Sequence, residues 1–243
     1  MIKAGERIAD DAIYLNEDRY EKPKELFKFI ADKLPDGNGP LKGNLLDVGC
    51  ATGELIYYLK KRFPEFRFTG VDVSEPMIAQ AKKKMPLEQF AVTSIQDASF
   101  FEERQFNVIT CSGVINIFDD VAPLLDHLLG AVRFGGRLLI VGPFNDSPVD
   151  VLMRYRTVSE ATDENWQSGW NITSKFTAEK LLEKSGYAVD VAWHPFAMPF
   201  ALSPQKDPMR TWTLKTEKNP FQLVNGACQL VDLQLLDVRV KRK

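Results

Sequence analysis

The sequence predicts an α/β chain built on a doubly wound, mostly parallel seven-stranded sheet with helices on both faces. Three observations predict it. Short apolar segments, partly β-branched and bounded by Gly, Asp or Ser, recur through residue 142. Amphipathic stretches of helical period lie between them. Several of the strand-like segments end in an acid or a glycine turn. Strand–helix alternation pairs strands in parallel through right-handed crossovers and leaves helices on both faces. Ligands in such sheets sit beyond the carboxyl ends of the strands.

In chain order, residues 7–34 read as helical. Leu26, Phe27, Ile30 and Leu34 form a stripe, preceded by Tyr14 and Tyr20. The first strand is LLDVG (45–49). The run after it places Leu55, Ile56, Leu59 and Phe63 on one face and stops at Pro64. RFTGVDV (67–73) is the second strand. Ser74 can cap a helix carrying Met77, Ile78, Ala81 and Met85. Strands QFAVTSI (89–95) and FNVITCS (106–112) follow. A stripe of Leu124, Leu125, Leu128, Leu129 and Val132 ends at Gly135-Gly136, a pair suited to a left-handed helix stop, and RLLIVG (137–142) is the fifth strand. Residues 143–175 form an irregular insertion holding Trp166 and Trp170, four apart, a helical spacing. After a helix near 177–185 and its stop at Gly186, AVDVAWHPF (188–196) reads as the sixth strand. RTWTLKT and FQLVNG suggest a hairpin, and LQLLDVRVK the closing strand. The 243 residues are read as one domain, with a helical cover (1–40), a ligand-binding core (41–142), a lid-like insertion (143–175) and a C-terminal part (176–243).

Composition bounds the function. Hydrophobic content of 44% and charged content of 26% are those of a soluble globular protein, and a net charge of −2 suggests no polyanion partner. Cys50, Cys111 and Cys228 are too few and too scattered for a disulfide scaffold and fit a reducing cytoplasm. With two histidines and no paired cysteines, no metal site is expected. No apolar run is long enough to span a membrane. A monomer or a homodimer is expected.

The turn Gly49-Cys50-Ala51-Thr52-Gly53 lacks the third glycine of a dinucleotide fingerprint, and Asp47 stands just ahead of it. A carboxylate there opposes a phosphate and suits a ligand bearing positive charge. The helix beyond Gly53 can receive a ligand carboxylate at its N-terminus. Asp72 ends the second strand, where an acceptor-only carboxylate can hold both hydroxyls of a ribose. Asp97, after the third strand, can accept from an adenine amino group.

LLDVGCATGEL, FTGVDVSEPMIAQAKKK, SIQD, FNVITCSGVINIFDD and GGRLLIVG, in this order over roughly residues 44–142, resemble the class I S-adenosylmethionine-dependent methyltransferases of Rossmann-like fold. The resemblance implies S-adenosylmethionine as cofactor and S-adenosylhomocysteine as product. It implies that Asp47 and the backbone of Gly49, Ala51 and Gly53, with Cys50 in the same turn, line the methionine part. Asp72 would bind the ribose, Val73 and Met77 would pack near the adenine, and Asp97 with Ile95 or Gln96 would sit at its edge. Ser112, Gly113 and Val114 would flank the methyl group. The chain departs from the family pattern at Ala51, often glycine, and at Ile117, where many members have histidine.

For the acceptor side the candidates are Tyr14, Tyr20, Asn116, Trp166, Trp170 and His194, with His194, at the end of the sixth strand, as the candidate base. The chain lacks both the Asn/Asp-Pro-Pro-aromatic signature of amino-methylating nucleic-acid enzymes and a basic patch with interleaved aromatics. A small molecule methylated on oxygen or nitrogen is therefore the expected acceptor, with a sugar or glycan precursor as one candidate. A silent cofactor-binding module and an NAD-dependent dehydrogenase are the alternatives; Asp47 and the missing glycine count against the latter.

Overall fold

The computed structural model of the chain describes residues 11–16, 18–35, 42–102, 106–156, 158, 166–207 and 209–241. Two helices, α1 (Asp11–Asn16) and α2 (Glu25–Lys33), take the place of the single helical cover. Pro23 explains the break, because a residue before proline is pushed out of the helical region, and Lys24 is itself extended. Residues 7–10 of that expectation lie outside the described residues. The core then alternates as β1 (Gly43–Val48), α3 (Glu54–Arg62), β2 (Phe66–Asp72), α4 (Glu75–Lys84), β3 (Gln89–Val92), β4 (Phe106–Ser112), α5 (Ala122–Ala131) and β5 (Val132–Asn145). The Ser74 hydroxyl caps α4 by accepting from the Met77 N–H at 3.4 Å.

The insertion contains β6 (Arg154–Tyr155), β7 (Gln167–Ser168) and β8 (Thr173–Ser174). It leads to α6 (Lys175–Lys184), capped by Ser174, whose hydroxyl accepts from the Thr177 N–H at 3.0 Å. β9 (Val189–Pro195), β10 (Trp212–Leu214), β11 (Gln222–Val224), β12 (Leu230–Val231) and β13 (Leu233–Val240) complete the chain.

The main sheet runs β3-β2-β1-β4-β5-β13-β9, and β8 pairs with the end of β5 as an eighth strand beside the seven expected. β1 to β5 are parallel, whereas β13 is antiparallel to both β5 and β9. The expected hairpin forms and gains a third strand in a small β10-β11-β12 sheet.

Alternation along each central strand decides which helices it carries. Leu45, Val108, Leu139 and Leu235 face a core shared with α2, α3 and α4. Their neighbours Leu46, Ile109, Leu138 and Leu236 face a second core shared with α5 and α6. Leu124, Leu125, Leu128 and Leu129 of α5 are all buried, each worth about 2 kcal/mol by apolar area.

Two sequence expectations change. Gly135-Gly136 does not stop the helix, which ends at Ala131. The pair lies in a looped-out stretch of β5, where the register jumps from Phe106↔Val132 to Val108↔Arg137. Gly136 is needed there, since a Cβ would come 2.8 Å from the carbonyl oxygens of Arg133 and Asn107. Trp166 and Trp170 are not on a helix but flank the short β7 strand.

Arg137 ties the N-terminal part to the sheet. It pairs with Asp237 of β13 at 2.6 and 3.1 Å and donates to the carbonyls of Leu34 and Lys33 at 2.7 and 2.8 Å. Those carbonyls belong to the end of α2, where backbone acceptors are left over and a cation is favoured. This clamp fixes the helix whose other end reaches the cavity described next.

Candidate active site

At the carboxyl ends of β1, β2 and β4 a cavity of about 730 Å3 opens. Its floor is the turn after β1. The Gly49 and Cys50 N–H groups both donate to the Val71 carbonyl, at 2.8 and 3.0 Å, which folds the turn back over β2. Gly49, Ala51 and Gly53 have φ of +73°, +47° and +81°. Gly49 could not carry a side chain, because a Cβ would fall onto Val114 Cγ2. Ala51 occupies the left-handed region at a cost of roughly 1 kcal/mol. Its N–H donates to Asp72 Oδ2 at 2.9 Å and helps hold it there.

Asp47 is 3% exposed, and its Oδ1 accepts from the Thr110 hydroxyl at 2.7 Å. Burial pushes its carboxyl from the ordinary 3.8 up to about 7; the Thr110 bond opposes this and Asp72 adds to it. A cationic ligand would relieve that cost. Asp72 accepts from Ala51 N–H on Oδ2 and from Ser74 N–H on Oδ1, which leaves one lone pair on each oxygen for a pair of hydroxyls. The residues present therefore fit a ligand with positive charge at one end and a ribose at the other. Burial raises the Cys50 and Cys111 thiols above their ordinary range, so both stay protonated and inert.

Of the residues predicted for the cofactor, Asp47, Gly49, Cys50, Ala51, Asp72, Val73, Met77, Gln96, Ser112, Gly113 and Val114 are brought together around this cavity. Gly53 and Asp97 are not. Gly53 caps α3, and a Cβ on it would meet Met85 Cε at 2.7 Å, so its glycine serves packing. Asp97 caps the next helical turn, accepting from the Ser99 N–H and hydroxyl at 3.1 and 2.7 Å, and these bonds lower its carboxyl.

The acceptor-side predictions divide in the same way. Tyr14, Asn116 and Trp170 line the cavity. Tyr20 lies beneath the turn, with its hydroxyl donating to the Thr52 carbonyl at 2.7 Å. Trp166 is stacked under Arg156. His194, the candidate base, stands apart from these. It does not line the cavity: β9 is the edge strand, set apart from β5 by β13, and His194 lies 3.6 Å from Asp237 of β13. His127 lies outside as well, bonded to the Ile95 carbonyl.

Sequence reasoning missed Lys24, Glu54 and Arg210, which bring charge to the wall. Lys24 lies over the Tyr14 ring at 4.5 Å and 3.9 Å from Glu54. The Arg210 guanidinium lies over the same ring at 5.5 Å. Trp170 is held in the cavity wall by the insertion: the Asn171 N–H donates to the Asn116 carbonyl at 2.9 Å and the Ser168 hydroxyl to that of Ile117 at 3.1 Å.

Residues 15–191 match a family model described as a methyltransferase domain, and the chain belongs to that family. Among curated relatives, a trans-aconitate 2-methyltransferase of Enterobacter sp. (strain 638) is 35% identical over 112 residues, 46% of this chain and 44% of the relative. A malonyl-[acyl-carrier protein] O-methyltransferase of Ilyobacter polytropus is 30% identical over 124 residues, 49% of this chain and 46% of the relative. The chain thus spans less than half the length of these relatives. Among solved structures, an S-adenosylmethionine-dependent methyltransferase of Listeria monocytogenes, itself described as putative, superposes with a TM-score of 0.58 at 15% identity. It covers 90% of this chain and 100% of its own. Magnesium protoporphyrin IX methyltransferase of Synechocystis, with bound S-adenosylmethionine, reaches 0.54 at 14% identity, covering 90% and 79%. These likenesses show the fold, Rossmann-like with a mostly parallel sheet.

Proposed function

We propose that the protein is an S-adenosylmethionine-dependent methyltransferase acting on an oxygen or nitrogen of a small molecule. The observation that carries this reading is Asp47, a buried carboxyl with no cation paired to it among the described residues, one strand away from the half-engaged Asp72. When bound, S-adenosylmethionine supplies a methyl group made electrophilic by its sulfonium.

The chain's own residues position and enclose. Asp47 and the Gly49–Ala51 part of the turn hold the amino acid end, Asp72 the ribose, and Val73, Met77 and Ile95 give apolar cover to the base. Ser112, Gly113 and Val114 border the space where the acceptor approaches, and a Cβ on Gly113 would meet nothing within 4 Å, which leaves room there. Apolar Ile117, Phe118 and Pro143 exclude water around a reaction that discharges a cation, so acceleration comes from holding the partners in line. No histidine is among the described lining residues. That suits an acceptor atom that is nucleophilic without losing a proton at the moment of transfer. The relatives named above act on trans-aconitate and malonyl-acyl-carrier protein, neither of which is a sugar, so they lend the glycan expectation no support.

Calorimetry with S-adenosylmethionine, S-adenosylhomocysteine and NADH tests the cofactor. Binding of the first two and not the third is expected, and tight binding of NADH alone would overturn the reading. An acceptor screen that follows S-adenosylhomocysteine release then separates an enzyme from a silent binding module.

A further inference from the structure

Several buried polar atoms in this cavity wall have no hydrogen-bond partner among the described residues, and most of them are donors. Arg210 Nε and Nη2 are buried without an acceptor, and so is the indole Nε1 of Trp170. Asp207 Oδ2 stays 3.8 Å from Arg210 Nε, beyond hydrogen-bond reach, while Asp207 Oδ1 accepts from the Met209 N–H at 2.9 Å. Lys24, the other cation of the wall, already faces Glu54. Buried donors without acceptors are costly, the more so on a charged group. Nε–H and Nη2–H form the edge of a guanidinium that meets both oxygens of one carboxylate in parallel.

Trp170 lines the same cavity. It holds φ of +60°, unusual for a bulky residue, while Gln229 Nε2 donates to its carbonyl at 3.1 Å. The unpartnered Asn116 Oδ1 is the acceptor counterpart in the same wall.

Resting on the methyltransferase reading above, we propose that Arg210 and Trp170 form a carboxylate subsite and that the acceptor is an organic acid with at least two carboxylates. The one clamped by Arg210 has its charge offset and its lone pairs engaged, so it anchors and does not react. A second carboxylate is the nucleophile. Its oxygen gives a lone pair to the methyl carbon, the carbon–sulfur bond breaks with its electron pair going to sulfur, and no proton moves. The products are a methyl ester and S-adenosylhomocysteine. This chemistry needs no base, in keeping with a wall that has no histidine among its described residues. Arg210 lies beyond residues 15–191, so the anchor belongs to this chain's own C-terminal part and not to the matched family region.

The test uses the full chain with a panel of short di- and tricarboxylic acids, each beside its monoamide, together with phosphomonoesters and neutral sugars. Turnover of an acid, with its monoamide at the anchored end failing, is expected. Binding of the best acid to the S-adenosylhomocysteine complex, measured by calorimetry, should weaken about a hundredfold in Arg210→Met and less in Arg210→Lys and Trp170→Phe. S-adenosylhomocysteine affinity should stay within about twofold, which also shows that the variants fold. If the cofactor does not bind the wild type, the methyltransferase reading fails and this inference with it. If it binds but no acid is turned over, if phosphomonoesters or sugars are preferred, or if Arg210→Met binds the acid normally, the carboxylate subsite alone is overturned.

Discussion

Asp47→Asn exposes the cost of the site. The carboxyl sits at about 7 in the cofactor-free fold against an ordinary 3.8. Because the folded value is the higher one, stability is greatest where the group is protonated, falls as pH climbs from about 4 to about 7, and is flat beyond. At 1.36 kcal/mol per pH unit, the raised carboxyl costs about 1.5 kcal/mol at pH 5, where the fold keeps it protonated, and about 4 kcal/mol at pH 8, where it is ionised. Asparagine keeps an acceptor for the Thr110 hydroxyl and never ionises. The variant should therefore gain on the wild type by about 2.5 kcal/mol between pH 5 and pH 8, and titrating groups distant from Asp47 cancel in the comparison. For a chain of this size that is roughly 5–10 °C in the difference of melting temperatures. The assay is thermal unfolding of both cofactor-free proteins across that range, repeated with excess S-adenosylmethionine, which should raise the wild type and leave the variant unmoved. A stability difference that does not change with pH would refute the reasoning, whatever its size.

Arg137→Ala should destabilise by about 3–5 kcal/mol in chemical denaturation, because Asp237 and the carbonyls of Lys33 and Leu34 lose a buried partner. Arg137→Ala/Asp237→Ala should lose less than the two single changes together, and strict additivity would count against the clamp. His194→Ala and Asp97→Ala should leave S-adenosylmethionine affinity within about twofold in calorimetry, since neither residue lines the cavity. A tenfold loss in either would return that residue to the site.

Most of the cofactor half is legible in the sequence because local rules place it. Apolar strands end where Asp47 and Asp72 stand, and a sheet of this winding presents strand ends to one side. Asp97 and Gly53 fall outside the lining, and capping and packing use the same residue types as ligand binding. The acceptor wall is far less legible. Lys24 is one of several lysines around the first helical stripe and Arg210 a cation in a stretch without periodicity, and only the folded chain brings both over Tyr14. Trp166 and Trp170 read as one helical face, but the β6–β7 pairing and the left-handed backbone at Trp170 send them to different places. His194 follows the strand-end rule along the sheet, yet its side chain meets β13.

The wall over Tyr14 joins Lys24, Trp170 and Arg210, residues far apart in the sequence, whereas the cofactor floor draws on a continuous stretch. The two halves of the site therefore differ in robustness. A nick in the β10–β11 hairpin should erase the ability to choose an acceptor while the floor still grips its nucleoside. Under mild denaturant, selectivity should vanish before affinity for S-adenosylhomocysteine does.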